Sequence, residues 1–174
     1  MRKVLCIALA LLLIFSLASC GGESDRIDLT EETFFYGMTT IQMYPEEYLG
    51  KTISFDCFTY RLVDVDGAEY LCGVRKCSAG YGCKCGKDSV IGFILDYDGE
   101  IPEPKNQSVD TPDKSWIHLE GTLASREIEE VRIYGYDGEQ INYERVESVV
   151  FCRFKVTSLS LIEDYAELAY YVTK

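Results

Sequence analysis

The sequence predicts a mainly β protein: a small closed barrel of five main strands with one inserted β-hairpin and a cysteine-rich loop. Three observations carry this reading. Apolar and polar residues alternate with period two through most of the chain after residue 50. The chain holds 13 Tyr and 8 Phe, and together with many Val and Ile these favour extended backbone. Clusters of Gly, Pro and Asp punctuate the alternation where turns are needed.

Taken in order, residues 45–50 (Pro-Glu-Glu-Tyr-Leu-Gly) predict one helical turn, with Pro leading and Gly stopping it. In 51–60, Ile53, Phe55 and Cys57 fall on one face of a strand, and Ser54 and Asp56 fall on the other. Asp64-Val65-Asp66-Gly67 is a turn signal, and a second strand covers 70–74. Residues 90–95 are apolar on both faces, which places that strand centrally. Three of the four prolines lie in 96–115, a long loop. Strand 116–124 alternates Ile117, Leu119 and Leu123 with His118, Glu120 and Thr122. Strands 131–136 and 141–146 flank Asp137-Gly138, a hairpin turn. In the strand within 149–161, Val150, Cys152, Phe154 and Val156 share one side, opposite Arg153, Lys155 and Thr157. A short helix is expected to begin the final stretch, 162–174.

The N-terminal end has a different design. Arg2 and Lys3 precede an apolar stretch, 4–18, that is short for a membrane span and ends in Leu17-Ala18-Ser19-Cys20. These residues resemble the lipobox of bacterial lipoproteins. The resemblance implies a signal peptide over 1–19, cleavage before Cys20, and acyl chains such as palmitate on Cys20. It places the chain on the extracytoplasmic face of a bacterial cell membrane, held there by covalent lipid. Residues 20–38 are expected to be the lipidated Cys and a tether, and 39–174 the barrel domain. Loss of Arg2 and Lys3 lowers the formal net charge from −12 to −14. Such a polyanion makes no nucleic-acid partner, since that binding rests on Lys and Arg neutralising phosphates.

A second resemblance covers roughly residues 40–160. Pro45-Glu46-Glu47-Tyr48-Leu49-Gly50-Lys51-Thr52-Ile53 leads into the first strand, cysteines follow the second, and Ile91-Gly92-Phe93 and Trp116-Ile117-His118-Leu119-Glu120-Gly121-Thr122-Leu123 come later. That order is similar to a family of uncharacterised bacterial OB-fold proteins, some encoded beside a predicted permease. It implies an OB-like barrel and a membrane transporter as partner. Family members tend to carry adjacent cysteines after the second strand, whereas this chain spreads four over a loop.

Those four, Cys72, Cys77, Cys83 and Cys85, are the unusual chemistry of the chain. Three explanations compete. Two disulfides could staple a glycine-rich loop, as is natural outside the cytoplasm. Cys83 and Cys85 are too close to pair comfortably with each other, so each would seek Cys72 or Cys77. Alternatively, four thiolates could hold Zn²⁺ or another soft metal, although no gap has the two-residue spacing of common zinc ribbons. The third explanation is a redox dithiol, because the loop cations Arg75, Lys76, Lys84 and Lys87 would favour thiolates. Solvation of a loop accounts for those charges equally well. Cys57 and Cys152 read as buried free thiols, with a Cys57–Cys152 disulfide as the competitor.

Other sites carry weaker signals. His118 is the only histidine, which argues against most catalytic triads and His-rich metal sites, and it alternates outward. Asp64, Asp66, Asp96 and Asp98 lack the continuation of a calcium loop. Tyrosines 134, 136, 143, 165, 170 and 171 would make a binding face or simply pack on one another. The leading expectation is a noncatalytic binding or accessory module with no catalytic residues. A four-thiolate metal-binding lipoprotein and a thiol-redox protein are the alternatives.

Overall fold

A computed structural model describes residues 25–78, 88–137 and 140–172, with only the backbone of Ser78, Asp88, Tyr136 and Asp137. Seven strands form one sheet: β1 (Arg26–Leu29), β2 (Thr52–Val63), β3 (Glu69–Ser78), β4 (Asp88–Asp96), β5 (Trp116–Asp137), β6 (Gln140–Leu161) and β7 (Tyr171–Val172). Among the described residues one α-helix, α1 (Phe34–Met43), lies between β1 and a 3₁₀ turn at Pro45–Glu47. The protein is mainly β, as the alternation predicts.

Strand order is β1-β2-β5-β6-β4-β3-β7, and an added β2–β3 pairing bends the sheet into a partial ring. β2 makes the bend by changing partners along its length. Ile53 to Phe58 pair with β5, while Phe58 to Val63 pair with β3. The β4–β6 contact is parallel, Phe93 opposite Cys152. Glycine permits a close approach at Gly92, where a Cβ would sit 2.0 Å from the Gly73 carbonyl oxygen of β3.

Alternation along the strands feeds two apolar clusters. The first gathers Ile53, Phe55, Cys57, Phe93, Leu95, Ile117, Leu119, Cys152 and Phe154, and α1 adds Phe34, Phe35, Met38 and Ile41. Each such ring or branched chain contributes about 1.5–3 kcal/mol when fully buried. The second cluster gathers Phe58, Leu62, Cys72, Val74, Ile94, Trp116, Val131 and Phe151. Partly buried residues of 162–170 pack against it.

Three expectations need correction. The tether does not extend to residue 38. β1 pairs in parallel with β2, and Phe34 and Met38 are fully buried, so the folded domain takes in 26–38. The hairpin at 131–146 is not a separate insertion: β5 and β6 are each 22 residues long, and it is their far end. Along this arm the register jumps from Tyr134↔Val146 to Gly135↔Asn142, so that β6 carries three more residues than β5 at this point. Finally, 162–170 contains no helix. It crosses the second cluster as an irregular strap before β7 pairs with Lys76 and Cys77 of β3.

Candidate functional site

The cysteines separate more than their spacing suggests. Cys72 and Cys77 are an odd number of residues apart on one strand, so alternation sends them to opposite faces. Cys72 is buried in the second cluster and Cys77 in the first. They cannot ligate one ion or pair with each other, and the four-thiolate set is corrected accordingly. Cys57, Cys72 and Cys152 are free thiols, which also removes the Cys57–Cys152 disulfide. Desolvation pushes the Cys72 thiol up to about 12. Burial also raises Cys57 well above the ordinary thiol value, with the nearby positive Arg75 only partly opposing it. Such thiols are poor nucleophiles and poor metal ligands. Cys83, Cys85, Lys84 and Lys87 lie outside the described residues, as does Cys20. Among the described residues no group of three or more His, Cys, Asp or Glu could hold a metal ion, and no helix is long and apolar enough to cross a membrane.

Two of the expected loop cations belong to the fold instead. Arg75 is 1% exposed and stands between the clusters, its guanidinium 5.0 Å from the Phe34 ring centroid and 5.1 Å from that of Trp116. Both carboxylate oxygens of Glu31 receive it, at 2.6 and 2.5 Å. Its remaining donors reach the carbonyls of Asp56 and Ala169, each at 2.9 Å. A buried guanidinium needs this satisfaction, because an unpaired one would cost several kcal/mol, about 3–5. Lys76 pairs with Asp110 and lies over the Tyr170 and Tyr171 rings.

A third cation completes a seam. Lys114 is 5% exposed and donates to the carbonyls of Asn106 and Val109, the latter at 2.7 Å. Its ammonium lies over the rings of Phe58 and Tyr170. Desolvation lowers its proton affinity, and the charge of Lys76 adds to this. The 97–115 loop thus holds an ammonium against Phe58 of β2. The indole N–H of Trp116 fastens the same loop by donating to the Pro112 carbonyl at 2.8 Å. Arg75, Lys76, Lys114, Phe58 and Trp116 form a trough of cations and rings on an otherwise acidic protein, and the 162–172 strap fills it. Of the tyrosines singled out in the sequence, 165, 170 and 171 lie in that strap, while 134 and 143 pack edge-on at 5.0 Å.

The register also assembles a constellation that its residue types do not announce. Asp56 faces His118 across β2 and β5, and Ser54 lies two residues along on the same side. Asp56 Oδ1 is 2.6 Å from His118 Nδ1, and Ser54 Oγ is 3.2 Å from Nε2. The order matches a Ser-His-Asp relay, in which the imidazole passes a hydroxyl proton. Ser54, however, is only 4% exposed. Its cross-strand neighbours Asp28 and Glu120 are bridged by Arg26, at 2.9 Å to each. Neighbouring backbone N–H groups are committed to the sheet, leaving no donor pair for an oxyanion. The cluster is a satisfied hydrogen-bond chain on a sheet face.

With this geometry established, comparison with known proteins identifies the lineage. The chain belongs to the DUF1980 C-terminal domain family, whose profile matches residues 16–149. The UPF0703 protein YcgQ of Bacillus subtilis (strain 168) is 35% identical over 103 residues, covering 58% of this chain and 31% of that relative. The chain therefore spans less than a third of the relative's length. No solved structure matches it. These matches agree with the kinship to an uncharacterised bacterial family that the sequence blocks imply.

Proposed function

We propose that this protein is a lipid-anchored, extracytoplasmic, noncatalytic binding or accessory module built on an OB-like barrel. The single observation that favours this reading most is the trough formed by Phe58, Trp116, Arg75, Lys76 and Lys114. Rings that offer a flat face beside fixed cations are recognition chemistry, as they are on OB barrels. The strand cycle β2-β5-β6-β4-β3 with one parallel pair is the order expected of an OB fold. Reactive groups, in contrast, are withheld: the thiols of Cys57 and Cys72 are held protonated, and the Ser54 hydroxyl has no open approach. Anchoring through Cys20 would hold the domain at the membrane surface, within reach of a membrane transporter.

The test has two arms. Intact mass of the chain extracted from membranes should show cleavage before Cys20 and added acyl mass. Gentle detergent extraction should co-purify a transporter at fixed stoichiometry, and this should disappear in a Phe58→Ala, Lys76→Glu variant that is still processed. An unprocessed, unacylated chain would reject the address. Unchanged co-purification in the variant would reject the trough as the contact.

A metal or thiol-redox role now rests on Cys77, Cys83 and Cys85. With Cys72 buried on the opposite face, these three permit at most one disulfide. Intact mass with and without reductant should therefore show no more than one bridge.

A further inference from the structure

The strap has the character of a ligand more than of a core element. It carries no regular structure until the two-residue β7, and of residues 162–172 only Val172 is fully buried. Two of its rings lie face to face on two rings of the barrel. Tyr165 stacks on Trp116 at 6.1 Å with planes 20° apart, and Tyr170 stacks on Phe58 at 5.6 Å with planes 29° apart.

Its main chain is met by side chains in the way an extended peptide is met. Arg75 donates to the Ala169 carbonyl at 2.9 Å, and the Ala169 N–H donates to Glu31 at 3.1 Å. One fork of charges thus reads both backbone groups of one residue. The two tyrosine hydroxyls end on loop carboxylates, Tyr165 on Asp113 at 3.0 Å and Tyr170 on Asp110 at 3.4 Å. Beyond them, Tyr171 and Val172 add a short parallel strand to β3, opposite Lys76 and Cys77. Strand addition at a sheet edge, with pockets for alternate side chains, is a standard mode of peptide capture. The strap is also acidic, with Glu163, Asp164 and Glu167 all exposed.

We propose that the trough over Phe58 and Trp116 is a peptide-binding site, with residues 162–172 as its resident occupant. The external ligand is an extended acidic peptide bearing two aromatic residues five positions apart. This inference rests on the binding-module reading and names the partner chemistry of the same trough. The covalently attached strap competes at the high effective concentration of a tethered segment, about millimolar or above. A peptide in trans therefore binds well only when the strap is weakened.

Trp116 is the single tryptophan of the chain and reports the exchange directly. The probe is a labelled synthetic peptide with the sequence of residues 162–172, titrated into the full chain by fluorescence anisotropy and Trp116 emission. Tyr165→Ala/Tyr170→Ala should shift Trp116 emission to the red, and the peptide should restore it. Binding to this variant should be at least about tenfold tighter than to the unsubstituted chain. A peptide with both tyrosines replaced by alanine should bind neither chain. Ala169→Pro provides a second opening variant, since it deletes one strap N–H and leaves every trough residue in place. It should show the same gain even if the double variant fails to fold. Failure of the peptide to bind a folded opening variant would overturn the proposal. Normal acylation and transporter co-purification in that same preparation would leave the broader reading standing.

Discussion

The two apolar clusters sit back to back on the same strands, yet they are closed in opposite ways. Over the first, α1 lays Phe34, Phe35, Met38 and Ile41 onto the cluster of Phe55, Phe93 and Phe154, with one polar bond beside them, from Gln42 to the Gly92 carbonyl at 2.6 Å. Phe93 and Phe154 stack at 5.1 Å with planes 9° apart, and Phe55 meets both edge-on. The second is covered by a strap that meets the sheet through stacked rings, hydroxyl–carboxylate bonds and the Arg75–Glu31 fork. Shape-matched apolar packing commits a surface to the interior, whereas a polar, partly exposed cover leaves it as a surface that happens to be occupied.

The largest expected effect probes the first cluster. Phe93→Ala should cost about 3–5 kcal/mol, read from the midpoint of urea unfolding. Tyr170→Ala, over the second cluster, should cost clearly less, and equal losses would erase the distinction between core and cover. Next, Arg75→Met should cost about 3 kcal/mol because Glu31 and the carbonyls of Asp56 and Ala169 lose their donor. Much of that loss should return in Arg75→Met/Glu31→Gln, and a double variant no more stable than Arg75→Met would argue against the fork. Smaller again, Tyr165→Phe keeps its stack and loses one hydroxyl bond, for about 1 kcal/mol. Its Trp116 emission should stay unshifted.

The pH dependence should also divide by region. A thiol raised in the folded state stabilises the fold below its unfolded value of 9.0, and this contribution is lost as pH rises toward about 12, where Cys72 ionises. Cys57 acts with the same sign. Disulfide reagents at pH 8 should therefore label both only as fast as the protein unfolds. At the acid end, Lys76 lowers Asp110, and Lys105 and Tyr165 lower Asp113. Their support of the strap is present above the ordinary carboxylate value of 3.8 and disappears as pH falls through the lowered values. A red shift of Trp116 in acid before the loss of far-UV signal would mark release of the cover ahead of the core.

Much of the sheet was legible because alternation is a local property. Residues 70–74, 90–95 and 116–124 fall inside observed strands, 51–60 does so from Thr52 onward, and 91–95 is buried on both faces. The helix escaped notice because Phe34-Phe35-Tyr36-Gly37 and the Thr39-Thr40 pair are weak helix formers without a capping box. Its signal was the spacing of Phe34, Met38 and Ile41 on one face. Those threonines return their hydroxyls to the carbonyls four residues back, Thr39 to Phe35 and Thr40 to Tyr36.

The site was less legible because its contacts are long in sequence. Nothing near Arg75 announces Glu31 or Ala169 as its partners. Asp56 and His118 meet only through the β2–β5 register. The strap has no period of its own, since its tyrosines answer to rings on two different strands.

The register jump in the β5–β6 arm has a consequence for how these molecules tolerate crowding. A two-stranded ribbon of this length, with Val146 and Val150 exposed on β6, would ordinarily invite a neighbouring chain to add itself strand by strand. The three extra residues that β6 carries at 143–145 interrupt the regular row of donors and acceptors that such growth would copy. A deletion that restored an even ladder there should leave the monomer folded and make it prone to fibrous aggregation.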